Sequence, residues 1–234
     1  MIRSVLRGIA VGGVALAALV IFVGRGASAA VMAPSAEVGG GLAAAAGEEV
    51  AIFSGGCFWG VQAVFQHMKG VTSAVSGYTG GSVKNPSYEQ VSTGTTGHAE
   101  SVRVTFDPSK VSYADLLRVF FSVATDPTEL NYQGPDHGTQ YRSVLWYTTD
   151  AQKGIAKAYI DQLTKAKPYP NKIVTEVKPA QDFYNAEGYH QDYETLHPDN
   201  GYIAINDAPK VANLKKLFPA LYRDQPVLVG STQP

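Results

Sequence analysis

The chain of 234 residues contains a single cysteine, Cys57. No internal disulfide can therefore form, and no thiolate cluster exists to hold zinc or an iron–sulfur centre. Charge is also scarce and balanced: 17% of residues are charged and the formal net charge is −1. That leaves no basic field to attract nucleic acid. The five histidines, His67, His98, His137, His190 and His197, lack close paired spacing, so no metal site is expected. No internal repeat is visible. The uncharged run over residues 8–24 falls a little short of the ~20 residues a spanning helix needs. What remains, a hydrophobic content of 45%, suits an ordinary globular core.

That uncharged run follows Arg3 and Arg7 and precedes Ala27-Ser28-Ala29. A basic start, an apolar middle and a small-residue site form the secretory pattern, so residues 1–29 read as a signal peptide, with an uncleaved anchor as the alternative. Export to the periplasm or another extracytoplasmic space is the expectation. An unpaired thiol in an oxidising compartment is either buried and inert or kept for its reactivity. Residues 30–47, mostly Ala, Gly, Pro and Ser, read as a flexible linker. The folded core is expected over 48–222, and 223–234 as a loose C-terminal tail.

Within the core, residues 50–53 form a short apolar strand, and Phe58, Val61, Val64, Phe65 and Met68 recur at helical spacing. A strand is expected over 71–78, ended by Gly80-Gly81. Over 99–106, Val102, Val104 and Phe106 alternate with Ser101, Arg103 and Thr105, the pattern of a half-buried strand. Ser112 is placed to cap a helix carrying Leu116, Leu117, Phe120 and Phe121. A strand over 143–147, a helix capped by Asp150 and running to 166, a strand over 173–177 and a helix over 209–217 complete the reading. Strands and helices mix without βαβ regularity, which favours an α+β two-layer sandwich, helices packed on a mixed or antiparallel sheet.

Chemistry centres on Gly55-Gly56-Cys57-Phe58-Trp59-Gly60, where a strand gives way to a helix. Glycines let the chain bend and let another molecule approach. A helix start aims amides and a positive dipole end at the sulfur, which favours thiolate. The bland alternative, a buried inert cysteine, fits the flanking glycines poorly. Phe58 and Trp59 offer an apolar wall for a methyl or thioether group, with core filling as the lesser alternative on spacing alone. Two glycine-rich polar stretches, 77–100 and 131–142, bring further candidates. Glu100, if held neutral, can donate a proton. Tyr88 and Tyr141 can donate to an oxygen that gains charge. Asp136 and His137 can orient the far side of a ligand. Tyr189, Tyr193 and Tyr202 read as packing or pocket rim, and His98 and His190 as supports.

Gly56-Cys57-Phe58-Trp59-Gly60, Gly77-Tyr78-Thr79-Gly80-Gly81, Asn85-Pro86-Ser87-Tyr88, Gly97-His98-Ala99-Glu100, Asp136-His137-Gly138-Thr139-Gln140-Tyr141-Arg142 and Tyr189-His190-Gln191-Asp192-Tyr193 together resemble the methionine sulfoxide reductase A family. The resemblance runs in order from about residue 50 to 222. It implies the family's ferredoxin-like α+β core. It also implies reduction of the S epimer of methionine sulfoxide, free or in oxidised proteins, with Cys57 attacking sulfur and becoming a sulfenic acid. By the same resemblance Glu100 protonates the sulfoxide oxygen with help from Tyr88 and Tyr141, Phe58 and Trp59 hold the methyl group, and Asp136 assists placement. No bound cofactor is expected, nor any assembly beyond a monomer.

Many members carry further cysteines near the C-terminus that resolve the sulfenic acid. Residues 200–207 contain none. The chain thus resembles the single-cysteine subtype, recycled by an external thiol such as thioredoxin, glutaredoxin with glutathione, or an exported thiol–disulfide protein. Three other functions fit an isolated reactive cysteine. A cysteine hydrolase needs a histidine base within reach, a thiol peroxidase consumes peroxide, and a binding module for methionine-rich or oxidised partners does not need the thiol at all.

Overall fold

The computed structural model describes residues 30–43 and 47–231. The export segment expected over 1–29 lies outside them. Strand β1 (Glu49–Ser54) leads through two glycines into helix α1 (Phe58–Gln66). Strand β2 (Val71–Thr79) follows, then a short helix α2 (Tyr88–Ser92) and strand β3 (Ala99–Phe106). Helix α3 (Tyr113–Val119) runs on into a π-helical turn, Phe120–Ala124. A two-residue hairpin, β4 (Tyr132–Gln133) and β5 (Asp136–His137), precedes a single 3₁₀ turn, Thr139–Tyr141, and strand β6 (Val144–Tyr147). Helix α4 (Asp150–Ala166), strands β7 (Glu176–Pro179) and β8 (Phe183–Asn185), helix α5 (Tyr193–Leu196), a second π-helical turn (Ile203–Asp207) and helix α6 (Ala208–Leu217) complete the core.

Six of these eight strands form one sheet in the order β7-β6-β1-β3-β2-β8, while β4 and β5 pair with each other. Every neighbouring pair is antiparallel except β6 with β7, so the sheet is mixed. Its inner four, β6-β1-β3-β2, have the strand order of a split βαβ, ferredoxin-like core. Alternation decides which side chains meet the helices. On β1, Ala51 and Phe53 enter the main core, whereas Val50 and Ile52 pack on the opposite face with Trp146. Phe53 stacks on Phe65 of α1 with ring centres 4.7 Å apart. On β3, Val102, Val104 and Phe106 join the same core. Glu100 shares their parity and is carried to the helical side of the sheet.

Local signals account for several boundaries. Ser112 caps α3 through a reciprocal capping box with Asp115. Asp150 is the first residue of α4, not its cap; the Thr149 hydroxyl accepts from the Gln152 amide instead. The strand expected over 173–177 forms at Glu176–Pro179, because parallel pairing sets Val144 opposite Glu176.

The two segments expected to be loose are docked where they are described. Residues 30–43 run along α3 and α4. Val31 donates its amide to the Ser122 carbonyl, the Arg118 guanidinium donates to the Ala33 carbonyl, and the Tyr159 hydroxyl donates to the Pro34 carbonyl at 2.7 Å. Ala33 is fully buried. Beyond Tyr222, Arg223 donates its amide to the His67 carbonyl and its guanidinium to the carbonyls of Met68 and Val71. The Asp192 carboxylate accepts the amides of Val229 and Gly230. Small side chains and backbone polar groups, not a hydrophobic pattern, make these attachments.

Candidate active site

Cys57 occupies the cap position of α1. Gly56 reaches it with φ +97°, a conformation that favours glycine, and a Cβ there would lie 2.6 Å from the Gln133 side chain. The Trp59 amide donates to the sulfur. Cys57 is 8% exposed and lines a cleft of about 270 Å³ together with Gln133, Asp136, Tyr202 and Lys210. The far wall is apolar, with Phe121 and Val123 after α3 and Ala30 and Val31 from the N-terminal segment. Helices α3 and α4 thus hold residues 30 and 31 where they complete one side of the cleft.

Glu100 meets the sulfur from the sheet. Its Oε2 accepts the Phe58 amide, the first of α1, at 2.9 Å, and the residue is 3% exposed. Burial pushes its carboxyl up to about 8 against the Phe58 hydrogen bond, with Asp136 and Asp207 adding to the rise. At neutral pH it therefore holds a proton. The phenols of Tyr88 and Tyr141 are raised too, first by burial and then by Glu100, so both remain neutral donors. Each acts electrostatically with Glu100 and Cys57, which places the two phenols, the acid and the thiol in one group. Tyr88 is presented by α2, whose Ser87–Gln90 capping box fixes the turn while the Tyr88 amide donates to Glu187.

The thiol itself departs from expectation. Burial, then Asp207 and Glu100, push Cys57 well above the ordinary thiol range, and Lys210 and the Trp59 amide oppose them without prevailing. A helix start does not outweigh a dry site between two carboxyl groups. The sulfur rests as a thiol beside a carboxylic acid.

The two aromatic residues divide. Phe58 is 1% exposed and packs beneath the site on Tyr78 and His190. Trp59 keeps accessible surface, stacked on Tyr193 with ring centres 3.9 Å apart and met edge-on by Tyr202. Its indole N–H donates to His190 Nδ1 at 3.1 Å, which leaves the histidine proton on Nε2. Asp136 lies in the cleft, where it accepts the Tyr202 hydroxyl. His137 does not join this group: its ring is exposed and stacked on Tyr132. Sequence reasoning left Tyr202 and His190 without chemistry and passed over Asp207 and Lys210. All four reach the site across more than 60 positions of the chain, for which no local signal exists, although Asp207 and Lys210 also pair with each other three residues apart.

No histidine is placed as a base. His98 spends both ring nitrogens on Gly81 and Val83, and His190 accepts from Trp59. A thiol grouped with proton donors and lacking an imidazole partner suits attack on an oxygen-bearing electrophile better than ester hydrolysis. Such a site belongs to the oxidoreductase class.

Comparison with known proteins agrees. The family described as peptide methionine sulfoxide reductase matches residues 49–221. A protein of Mesorhizobium japonicum named peptide methionine sulfoxide reductase MsrA 2 is 64% identical over 188 residues, covering 80% of this chain and 96% of its own. The MsrA of Polynucleobacter asymbioticus is 50% identical over 177 residues, 76% of this chain and 93% of that one. Among solved structures, methionine sulfoxide reductase A of Corynebacterium diphtheriae aligns with TM-score 0.56 and 33% identity over 71% of this chain and 82% of that one. Reduced Mxr1 of Saccharomyces cerevisiae gives TM-score 0.59 and 34% identity over 66% and 88%. The chain belongs to the peptide methionine sulfoxide reductase family, in its A class.

Proposed function

We propose that this protein repairs oxidised methionine by reducing the S epimer of methionine sulfoxide, free or within proteins, through a sulfenic acid on Cys57. The observation that carries the reading is Glu100: a carboxyl buried on the sheet, still protonated at neutral pH, and hydrogen-bonded to the first amide of the helix that Cys57 caps. An acid so placed gives its proton to the sulfoxide oxygen as the Cys57 sulfur attacks the sulfoxide sulfur, and Tyr88 and Tyr141 stabilise the oxygen meanwhile. The oxygen then passes to Cys57 as the sulfide leaves, and the thiol proton replaces the one Glu100 gave. In sum, Cys57–SH and R₂SO become Cys57–SOH and R₂S, the cysteine being oxidised and the sulfoxide reduced.

Trp59 receives the methyl group, and Asp136, held by Tyr202, positions the rest of the substrate. With no second cysteine, an external thiol attacks the sulfenic acid to release water and form a mixed disulfide. A second thiol then frees Cys57 as the donor leaves as its disulfide. The reductant is a thioredoxin-like or glutaredoxin-like protein, glutathione, or an exported equivalent, and the protein acts outside the cytoplasm after export. The test is turnover of each resolved sulfoxide epimer with several thiol donors. Activity on the S epimer alone is expected; equal activity on the R epimer, or none on either, contradicts the reading.

A further inference from the structure

The reaction as set out leaves Asp207 and Lys210 unused. Asp207 closes the π-helical turn before α6, and its carboxyl is 0% exposed. One oxygen accepts from Lys210 Nζ at 3.1 Å, and the other, buried, has no hydrogen-bond partner among the described residues. Buried ion pairs are costly to desolvate and are poor sources of stability, so the location of this one is informative. It lies against Gly60: a Cβ there would stand 2.2 Å from Asp207 Oδ1 and 3.0 Å from Lys210 Nζ. Gly60 is three residues after Cys57, on the same side of the first turn of α1. The last glycine of the Cys57 motif thus leaves room for an ion pair at the helix start. Lys210, with 18% of its side chain exposed, also lines the cleft that Cys57 opens into.

The groups facing the sulfur come from every neighbouring element. Glu100 comes from β3, Asp136 from β5, Tyr202 from just before the π-helical turn and Asp207 from its end, Lys210 from α6 and the Trp59 amide from α1, with the phenols of Tyr88 and Tyr141 beside them. Of these, Lys210 alone carries positive charge. Burial presses its ammonium toward the neutral form, but Asp207 and Cys57 together hold it above the ordinary lysine range. It therefore stands as a positive charge beside the sulfur at neutral pH.

We propose that the Asp207–Lys210 pair, admitted to the first turn of α1 by Gly60, is a positioning device for the reaction: Lys210 draws the Cys57 sulfur toward its anion as it attacks, and Asp207 holds that charge in place and tempers it. Glu100 supplies the proton that the substrate oxygen needs; Lys210 supplies the countercharge that the sulfur needs.

The test is the pH dependence of Cys57 alkylation by iodoacetamide in the full chain, with thermal melting of each variant alongside. Alkylation reads the sulfur directly, so the result does not depend on which sulfoxide is the substrate. Lys210→Met moves the alkylation midpoint upward and slows the reaction at pH 7 by about tenfold, the equivalent of one pKa unit. Lys210→Arg restores most of the rate. Asp207→Asn keeps an oxygen for Lys210 but removes the anion, so its midpoint moves downward. A merely structural pair would lower the melting temperature in both variants and leave the midpoint where it was. An unmoved midpoint in folded Lys210→Met, or shifts of the same sign in Lys210→Met and Asp207→Asn, overturns the proposal.

Discussion

Replacing Glu100 by glutamine separates the proton from everything else this residue does. The amide is nearly isosteric, and its oxygen can still accept the Phe58 amide, so the start of α1 stays in place. What disappears is an acid with a pKa of about 8, roughly nine-tenths protonated at pH 7. General-acid catalysis is worth about 10²–10⁴-fold, or ~3–5 kcal/mol in the barrier. Methionine formation in a single turnover should fall by that factor, with little change in substrate affinity. The parent rate should itself decline as pH rises through about 8, where Glu100 loses its proton.

Stability should move the other way. Burial holds the folded-state carboxyl at about 8, against an ordinary value of 4.5. Below the lower value both states are protonated. Between the two, the unfolded chain releases a proton that the folded chain keeps, so stability falls as pH rises across this window. The cost is on the order of 3 kcal/mol at pH 7, and glutamine does not incur it. Glu100→Gln should therefore melt several degrees higher at pH 7, with the gain shrinking toward pH 4.5. A variant with near-parental single-turnover rate, or one no more stable than the parent at pH 7, would refute the assignment of Glu100 as a buried acid.

Two further outcomes concern the segments expected to be loose. Tyr159→Phe removes the hydrogen bond to the Pro34 carbonyl and should cost about 1 kcal/mol, read by denaturant unfolding, with faster amide exchange at Val31 and Ala33. Truncation after Tyr222 removes the partners of the His67, Met68 and Val71 carbonyls and should cost about 2–3 kcal/mol in the same assay, while Cys57 alkylation changes little.

Much of this architecture was legible because short-range patterns carried it. Alternation over 99–106 gave β3 and, by parity, the face on which Glu100 is buried. The glycines around Cys57 marked the passage from β1 to α1. The capping box Ser87–Gln90 was present in the sequence and would have revealed α2 within a stretch read only as polar and glycine-rich. Other features depended on pairing that no local pattern contains. The hairpin β4–β5 is two residues a side, too short for alternation to register, yet it delivers Gln133 and Asp136 to the cleft. Residues 30–43 look like a linker because alanine, glycine and proline bury little surface, and what fixes them is the complementary polar groups of Ser122, Arg118 and Tyr159. The thiolate expected of Cys57 rested on the helix start alone; burial, and then Asp207 and Glu100, 150 and 43 positions away, reverse it.

Cys57 takes an oxygen atom from the substrate in the proposed reaction, and one stoichiometric measurement reaches that step directly. Fully reduced protein mixed with excess methionine S-sulfoxide in the absence of any other thiol should form one equivalent of methionine and then stop, leaving a single dimedone-reactive site at Cys57. Formation of no methionine under these conditions, or of methionine by Cys57→Ser, would contradict it.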